Sequence, residues 1–253
     1  MTQNGHCQAS SRGPELCLYG RQGKRGIEMA FKIGFVIFPD VTQLDFTGPL
    51  QVLSGLPQST IHIAAKSISP VMSDCRLGLV PTHTFANCPP LDLICIPGGS
   101  EGVAGILNDH ATIEFVRLQA KSAKYVTSVC TGAFVLGVAG LLKGRRATTH
   151  WAYVDLLPLV GAEYEKARVV KDGNVITAGG VTSGIDFGLA VIAEIAGESI
   201  AKRIQLGMEY DPAPPFDCGH PDRAPTIKGE LMSARYDNFQ SIYRARIEKA
   251  VHV

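Results

Sequence analysis

Residues 125–142, YVTSVCTGAFVLGVAGLL, decide the fold. They predict an apolar strand, Tyr125–Val129, that passes through Cys130 into an apolar helix, Thr131–Leu142. Segments with strand or helix patterns alternate on both sides of this stretch: strands at 31–38, 61–66 and 91–96, and helices at 45–54, 109–120, 183–196 and 199–210. Strands that are apolar on both faces and alternate with helices predict a doubly wound α/β fold, with a mostly parallel sheet between two helical layers.

Three further segments qualify this pattern. Gly78–Phe85 is rich in β-forming residues, but Pro81 confines it to an edge or hairpin position. Arg168–Ala178 predicts a hairpin around Asp172-Gly173. After the break at Pro212–Pro215, the spacing at Ile227–Val253 predicts one amphipathic helix. We expect a single domain over 29–253, with 212–253 packed on it as a tail, and a separate extension over 1–28.

Composition narrows the function class. The 253 residues are 45% hydrophobic and 19% charged, with a formal net charge of +1, so there is no basic field to attract nucleic acid. No run reaches the roughly 18 apolar residues that a membrane span needs. The seven cysteines are scattered, without the spacing of a zinc site, and the start lacks the apolar core of a signal peptide. We therefore expect a cytoplasmic protein with reduced cysteines, no metal and no organic cofactor.

Cys130 is the candidate nucleophile because of its position. A strand–turn–helix junction resembles the nucleophile elbow of hydrolases, and the amides and dipole at a helix start favour a thiolate. The alternative is a buried structural cysteine, which is common for this residue type. Polar or glycine-rich segments also follow two other strands, at Pro39–Asp45 and Pro97–Ser100, and ligands bind at such strand ends in parallel sheets.

Four other residues or pairs could complete a site. Asp45 either caps the following helix or serves as the general acid and base. The amides of Gly98-Gly99 could hold a developing negative charge or simply form a tight turn. The Thr131 hydroxyl could hold Asp45 or a water, or merely start the helix. His150 could act as a base, although an isolated histidine before the single Trp is more often a packed, hydrogen-bonded residue.

Several motifs together resemble the ThiJ/PfpI superfamily, and within it the bacterial isonitrile hydratases. The resemblance covers about Phe31–Phe216 and is carried by the following stretches: FPDVTQLDFTGPLQVL, PPLDLICIPGG, YVTSVCTGAFVLGVAGLLKGRRATTHWAY and GNVITAGGVTSGIDFGL. It implies a flavodoxin-like sheet of the class I glutamine amidotransferase type and a homodimer. It also implies Cys130 as the elbow cysteine, Asp45 as its acidic partner, and Gly180 and Thr182 in the substrate pocket. Thr131 stands where the protease-like branch has histidine, which argues against peptidase activity.

The resemblance implies hydration of an isonitrile to an N-substituted formamide, a lyase reaction through a covalent thioimidate on Cys130. Two alternatives stay open. One is a small-molecule-sensing domain like those of amidase-like transcription regulators, although about 40 residues after Tyr210 are too few for the usual tandem DNA-binding module. The other is a glyoxalase or deglycase of the same superfamily, which Asp45 and Thr131 disfavour. The insertion-prone loop after Gly99, residues 100–107, is where this chain is expected to differ from its relatives, which leaves the size of the substrate open.

Overall fold

The computed structural model describes residues 30–251, so the extension expected at 1–28 lies outside the described residues. In chain order the strands are β1 (Phe31–Val36), β2 (Ser59–Ala65), β3 (Val71–Met72), β4 (Gly78–Leu79), β5 (His83–Thr84), β6 (Leu93–Ile96), β7 (Tyr125–Val129), β8 (Arg146–Ala147), β9 (Glu163–Tyr164), β10 (Val169–Asp172) and β11 (Val175–Ala178). The α-helices are α1 (Gln43–Leu53), α2 (Ser100–Ile106), α3 (His110–Ala120), α4 (Gly132–Val138), α5 (Ser183–Ala196), α6 (Glu198–Gly207), α7 (Pro225–Leu231) and α8 (Asp237–Val251).

The central sheet has the strand order β10-β11-β7-β6-β1-β2-β5. All of its pairs are parallel except β10 with β11, which form the predicted hairpin. From β1 the chain adds strands on one side, then returns to add β6, β7 and β11 on the other. Right-handed crossovers in the two directions place α1 on one face and α3 on the opposite face. The predicted doubly wound α/β class is confirmed.

The core is apolar because the central strands are covered on both faces. All four residues of β6 are buried, as are the last four residues of both β1 and β7. Helices α1 and α5 pack together on one side, and α3 packs with α4 on the other. No helix within residues 30–251 is both long and apolar enough to cross a bilayer.

The two sheet edges differ. The β-rich segment 78–85 is divided at Pro81: β4 pairs with β3, whereas β5 is a two-residue edge strand beside β2. At the other edge, Arg146 lies against β10, where its amide donates to the Asp172 carboxylate at 2.9 Å and its guanidinium donates to the Lys171 carbonyl.

Three predicted segments need correction. The loop expected at 100–107 is mostly helix α2. Gly99 is the N-cap of this helix, and Ser100–Ile106 bury three of their apolar residues. The helix expected at 131–142 ends at Val138, just before Gly140, whose φ is +81°. The C-terminal segment is not one uniform α-helix: α7 and α8 are joined by a π-helical turn at Met232–Tyr236.

Candidate active site

Three neighbouring strands of the sheet converge on one site. Asp45 follows β1, Gly98-Gly99 follow β6, and Cys130 follows β7. The strand order runs β7-β6-β1, and the direction of winding reverses between β1 and β6. Ligands of open α/β sheets bind at such a reversal, outside the carboxyl ends of the strands. The structure therefore brings together the residues that the sequence placed at strand ends.

Cys130 occupies a strained turn. Its φ is +56°, a left-handed conformation that non-glycine residues seldom adopt. Neighbouring groups hold it there: its amide donates to the Gly179 carbonyl at 2.8 Å, and its carbonyl accepts from the Thr149 hydroxyl at 2.8 Å. A side chain at Gly132 would collide with the carbonyls of Ile96 and Pro97, so α4 can begin this close to β6 only with glycine there. A strained backbone conformation that several neighbouring contacts hold in place is typical of functional positions.

Gly98 is the point at which the acid and the thiol meet. A Cβ atom added there would collide with the Asp45 carboxylate and lie 2.8 Å from the Cβ atom of Cys130. The same Cβ would lie 2.9 Å from the Thr131 amide. The three predicted residues thus surround one glycine, and only glycine leaves them room.

Asp45 is completely buried in the first turn of α1. The helix begins at Gln43 with Thr42 in the cap position, so the capping role considered for Asp45 is wrong. Its Oδ2 accepts the Gly98 amide at 3.0 Å, and its Oδ1 has no hydrogen-bond partner within residues 30–251. Burial raises the pKa of Asp45 from 3.8 to about 7, although the Cys130 thiol and the Gly98 amide both lower it. A carboxyl with this pKa can both give and take a proton near neutral pH.

The expectation of a thiolate at Cys130 needs correction. The side chain is only 6% exposed, and burial raises the thiol's pKa well above its ordinary value. The nearby Asp45 carboxylate raises it further, whereas the amide and hydroxyl of Thr131 lower it. The Thr131 amide and hydroxyl at the start of α4 do lower the thiol's pKa, as predicted, but burial and the Asp45 carboxylate raise it by more. Two acids this close resist ionising together, so near neutral pH the thiol keeps its proton beside the Asp45 carboxyl.

The amides of Gly98 and Gly99 already have acceptors. Gly98 donates to Asp45, and Gly99 donates to the Thr131 hydroxyl oxygen at 3.0 Å. They therefore position the acid and the threonine in this structure, instead of presenting free donors to a developing negative charge. The Thr131 hydroxyl contacts Gly99 and the Cys130 thiol, where the sequence had suggested Asp45.

A cavity of about 490 Å³ lies beside this cluster. The other predicted site residues, His150, Gly180 and Thr182, line its wall. Two of its wall residues, Thr149 and Gly179, bind the Cys130 backbone directly. Among the described residues the wall does not include Cys130 itself.

His150, Gly180 and Thr182 each have a local partner. The His150 Nδ1 accepts from the Ala152 amide at 3.2 Å, and burial lowers the imidazole's pKa to about 4, so the ring is neutral. Gly180 lies against that ring, since an added Cβ would be 3.1 Å from the His150 Cδ2. The Thr182 hydroxyl accepts from Arg168 at 3.1 Å. His150 is thus the packed, hydrogen-bonded residue considered above, in the cavity wall.

Sequence reasoning missed the contribution of the C-terminal segment. Tyr236, from the π-helical turn, lies 5.4 Å from the His150 ring and 5.9 Å from Tyr153, measured between ring centroids. Tyr243, from α8, lies 4.9 Å from Tyr153 and 5.5 Å from Phe134. Burial raises the pKa of all three tyrosines, and a charge on Cys130 would raise it further. A short amphipathic pattern gives no signal for contacts over such sequence distances.

Comparison with known proteins identifies the family. The DJ-1/PfpI family profile matches residues 31–194. "Isonitrile hydratase" from Pseudomonas putida is 56% identical over 198 residues, 78% of this chain and 86% of that protein. A solved structure of a ThiJ/PfpI family protein from Pseudomonas syringae is 39% identical, with a TM-score of 0.84 over 90% of this chain and 97% of that one. The HTH-type transcriptional regulator GbdR from Pseudomonas aeruginosa is 26% identical over 71% of this chain and 50% of the regulator.

The family profile spans β1 to α5 and therefore includes Asp45, Gly98 and Cys130. The predicted resemblance to the ThiJ/PfpI superfamily is confirmed, and the similarity to an isonitrile hydratase extends over most of the chain. The chain belongs to the DJ-1/PfpI family.

Proposed function

We propose that the protein is an isonitrile hydratase, a lyase that converts an isonitrile and water into an N-substituted formamide. The observation that carries the proposal is the buried pair of Cys130 and Asp45, whose side chains meet at Gly98 and whose pKa values burial raises. The 56% identity to the Pseudomonas putida hydratase supports the same activity.

The first half of the reaction forms a thioimidate. The Asp45 carboxylate takes the proton of the Cys130 thiol while the sulfur adds to the terminal isonitrile carbon. Protonated Asp45 then delivers this proton to the same carbon, which gives R–N=CH–S–Cys130. A carboxyl with a pKa of about 7 suits both transfers.

The second half releases the formamide. Asp45, again a carboxylate, removes a proton from water as the water oxygen attacks the thioimidate carbon, and passes that proton to the nitrogen. The tetrahedral species R–NH–CH(OH)–S–Cys130 loses its C–S bond, and its hydroxyl proton returns through Asp45 to the thiolate. The products are R–NH–CHO and the free thiol, with one water consumed and no cofactor used. Thr131 donates hydrogen bonds to the sulfur, which lower the thiol's pKa and so stabilise the thiolate.

In this proposal His150, Gly180 and Thr182 line the cavity that receives the substituent R. Gly98 and Gly99 act on substrate only indirectly, through the side chains they hold.

We further propose a homodimer, to be measured by sedimentation as a species of twice the chain mass. The cytoplasm is the proposed location, because the five cysteines in the described part of the chain are free thiols.

The direct test is to incubate the purified protein with cyclohexyl isocyanide and measure N-cyclohexylformamide by mass spectrometry. We expect turnover by the wild type, and neither product nor covalent adduct with Cys130→Ala. Methylglyoxal is supplied in a parallel reaction, since its consumption without formamide production would favour a glyoxalase or deglycase instead. A thioimidate adduct surviving in Cys130→Ala would refute the nucleophile.

A second candidate function is sensing of a small molecule without turnover. It is favoured by the similarity to GbdR, half of whose length this chain matches. Calorimetry with cyclohexyl isocyanide separates the two functions: saturable binding with no formamide produced would support a sensor, whereas turnover supports the hydratase.

A further inference from the structure

Tyr243, on helix α8, reaches the candidate site. The residue is completely buried, and its hydroxyl donates to the Gly99 carbonyl at 3.0 Å. These two residues are 144 positions apart in the sequence. The bond therefore ties the C-terminal segment to the turn after β6, which lies at the centre of the site.

The turn that Tyr243 contacts is the one that orients the reacting groups. The Gly99 amide holds the Thr131 hydroxyl, and the preceding Gly98 amide holds the Asp45 carboxylate. The φ of Gly99 is +155°, which L side chains rarely adopt. A pair of glycines has more conformational freedom than any other dipeptide, so its geometry depends on external contacts.

Packing fixes the position of the Tyr243 hydroxyl. The ring meets Phe134 edge-on at 5.5 Å and lies 4.9 Å from Tyr153. Ile247, one turn later in α8, is also completely buried. Burial raises the phenol's pKa well above its ordinary value, so Tyr243 remains a hydrogen-bond donor over the working pH range.

We propose that Tyr243 is a positioning residue for the Cys130–Asp45 pair, acting through the Gly98-Gly99 turn. Its hydroxyl holds the Gly99 carbonyl, and the two amides of the turn then hold Thr131 and Asp45 in place. The Tyr243 hydroxyl also meets the Thr131 side chain, but among the described residues it makes no hydrogen bond to Asp45 or Cys130. The proposal rests on the proposed function for its turnover readout, but not for its thiol-reactivity readout.

The test variant is Tyr243→Phe, which keeps the ring and its packing but removes the donor. We expect kcat for cyclohexyl isocyanide hydration to fall about 10-fold while KM changes less than about two-fold, because small misplacements of reacting groups are costly. The rate of Cys130 alkylation by iodoacetamide is measured against pH, with the modified peptide identified by mass spectrometry. Its rise should move to higher pH, since a displaced Thr131 donates less well to the Cys130 thiol, whose pKa it lowers.

Tyr125→Phe is the matched control. Tyr125 begins β7, at the opposite end of the strand from Cys130, and packs against Phe31. Loss of its hydroxyl should leave kcat, KM and the alkylation profile at wild-type values. Circular dichroism and thermal unfolding of both variants separate a change in folding from a change in the site.

A lowered melting temperature in Tyr243→Phe, with kcat and the alkylation profile unchanged, would overturn the proposal and leave Tyr243 a purely structural residue. A wild-type protein that hydrates no isonitrile would refute the proposed function, while the alkylation profiles would still decide the role of Tyr243.

The double variant Tyr243→Phe with Thr131→Val adds a second measurement. Because Tyr243 and Thr131 share the Gly99 contact and also meet each other, their effects on alkylation at pH 7 should be non-additive, and independent effects would contradict the proposal.

Discussion

At the scale of single residues, the site depends on where one proton resides. Burial raises the pKa of both Asp45 and Cys130; the Asp45 carboxylate raises the thiol's pKa further, whereas the hydrogen bond from the thiol lowers the pKa of Asp45. Near pH 7 the carboxyl is the group that titrates, while the thiol stays protonated until substrate arrives. In the proposed reaction, the thiolate therefore forms only as the sulfur attacks, when Asp45 takes its proton.

Asp45→Asn should change two measurements in opposite directions. Formamide production should fall by at least about 100-fold, because the proton carrier is lost. Alkylation of Cys130 by iodoacetamide should become faster at a given pH, because the carboxylate no longer raises the thiol's pKa. Asp155→Asn, at an exposed position, is the control and should leave both rates unchanged. Slower alkylation in Asp45→Asn would contradict the electrostatic coupling.

The same carboxyl should make stability depend on pH. An acid whose pKa is raised from 3.8 to about 7 on folding binds its proton more tightly in the folded state. Its contribution is fully present below its unfolded pKa and is lost as the pH rises towards 7, by on the order of 4 kcal/mol at most. Denaturation of wild type and Asp45→Asn at pH 4 and pH 8 checks this. The variant should gain stability relative to wild type at pH 8, and an equal difference at both pH values would argue against it.

Gly98→Ala should disable the site through crowding alone. The added Cβ would collide with the Asp45 carboxylate and lie 2.8 Å from the Cys130 Cβ atom. We expect activity to drop about 100-fold and the free energy of unfolding to fall by about 1–3 kcal/mol. Gly105→Ala in α2 is the control, because an added Cβ there meets nothing within 4 Å among the described residues. That variant should be as active as wild type and about 0.5–1 kcal/mol more stable.

At the scale of elements, α8 belongs to the core of the protein. Tyr243 and Ile247, four residues apart on the same helical face, are both completely buried, whereas the residues between them are exposed. The π-helical turn before α8 inserts an extra residue per turn and so rotates Tyr236 relative to a continuous α-helix. Tyr236 and Tyr243 are seven residues apart, about two helical turns, so both side chains lie on the face that meets the cluster.

Ile247→Ala should therefore be costly although the residue lies only six positions from the end of the sequence. A buried Ile-to-Ala change lowers the free energy of unfolding by about 2–5 kcal/mol. Urea denaturation measures the loss. Glu248→Ala, the exposed neighbour, should change stability by no more than about 0.5 kcal/mol. Equal effects at the two positions would mean that α8 does not pack as described.

At the scale of the whole molecule, local patterns predicted the sheet, its doubly wound class and the three strand ends that meet at the site. Asp45, Gly98 and Cys130 could be grouped because parallel strands end at one edge. The thiol's protonation could not be predicted, since it depends on how completely distant segments bury it. The Tyr243 contact was equally inaccessible, because it joins positions 144 residues apart. Short-range patterns report periodicity, whereas burial and long-range pairing arise only from the assembled fold.

The two borders of the central sheet also affect how the protein behaves at high concentration. Unpaired strand edges recruit other chains and seed aggregation. Here one border, β5, offers only two residues, and the other, β10, is screened by the charged side chain and amide of Arg146. Neither border provides a template long enough for a foreign strand to add on. Misassembly of the intact protein through sheet extension is thereby disfavoured, even though its central strands are among its most apolar segments.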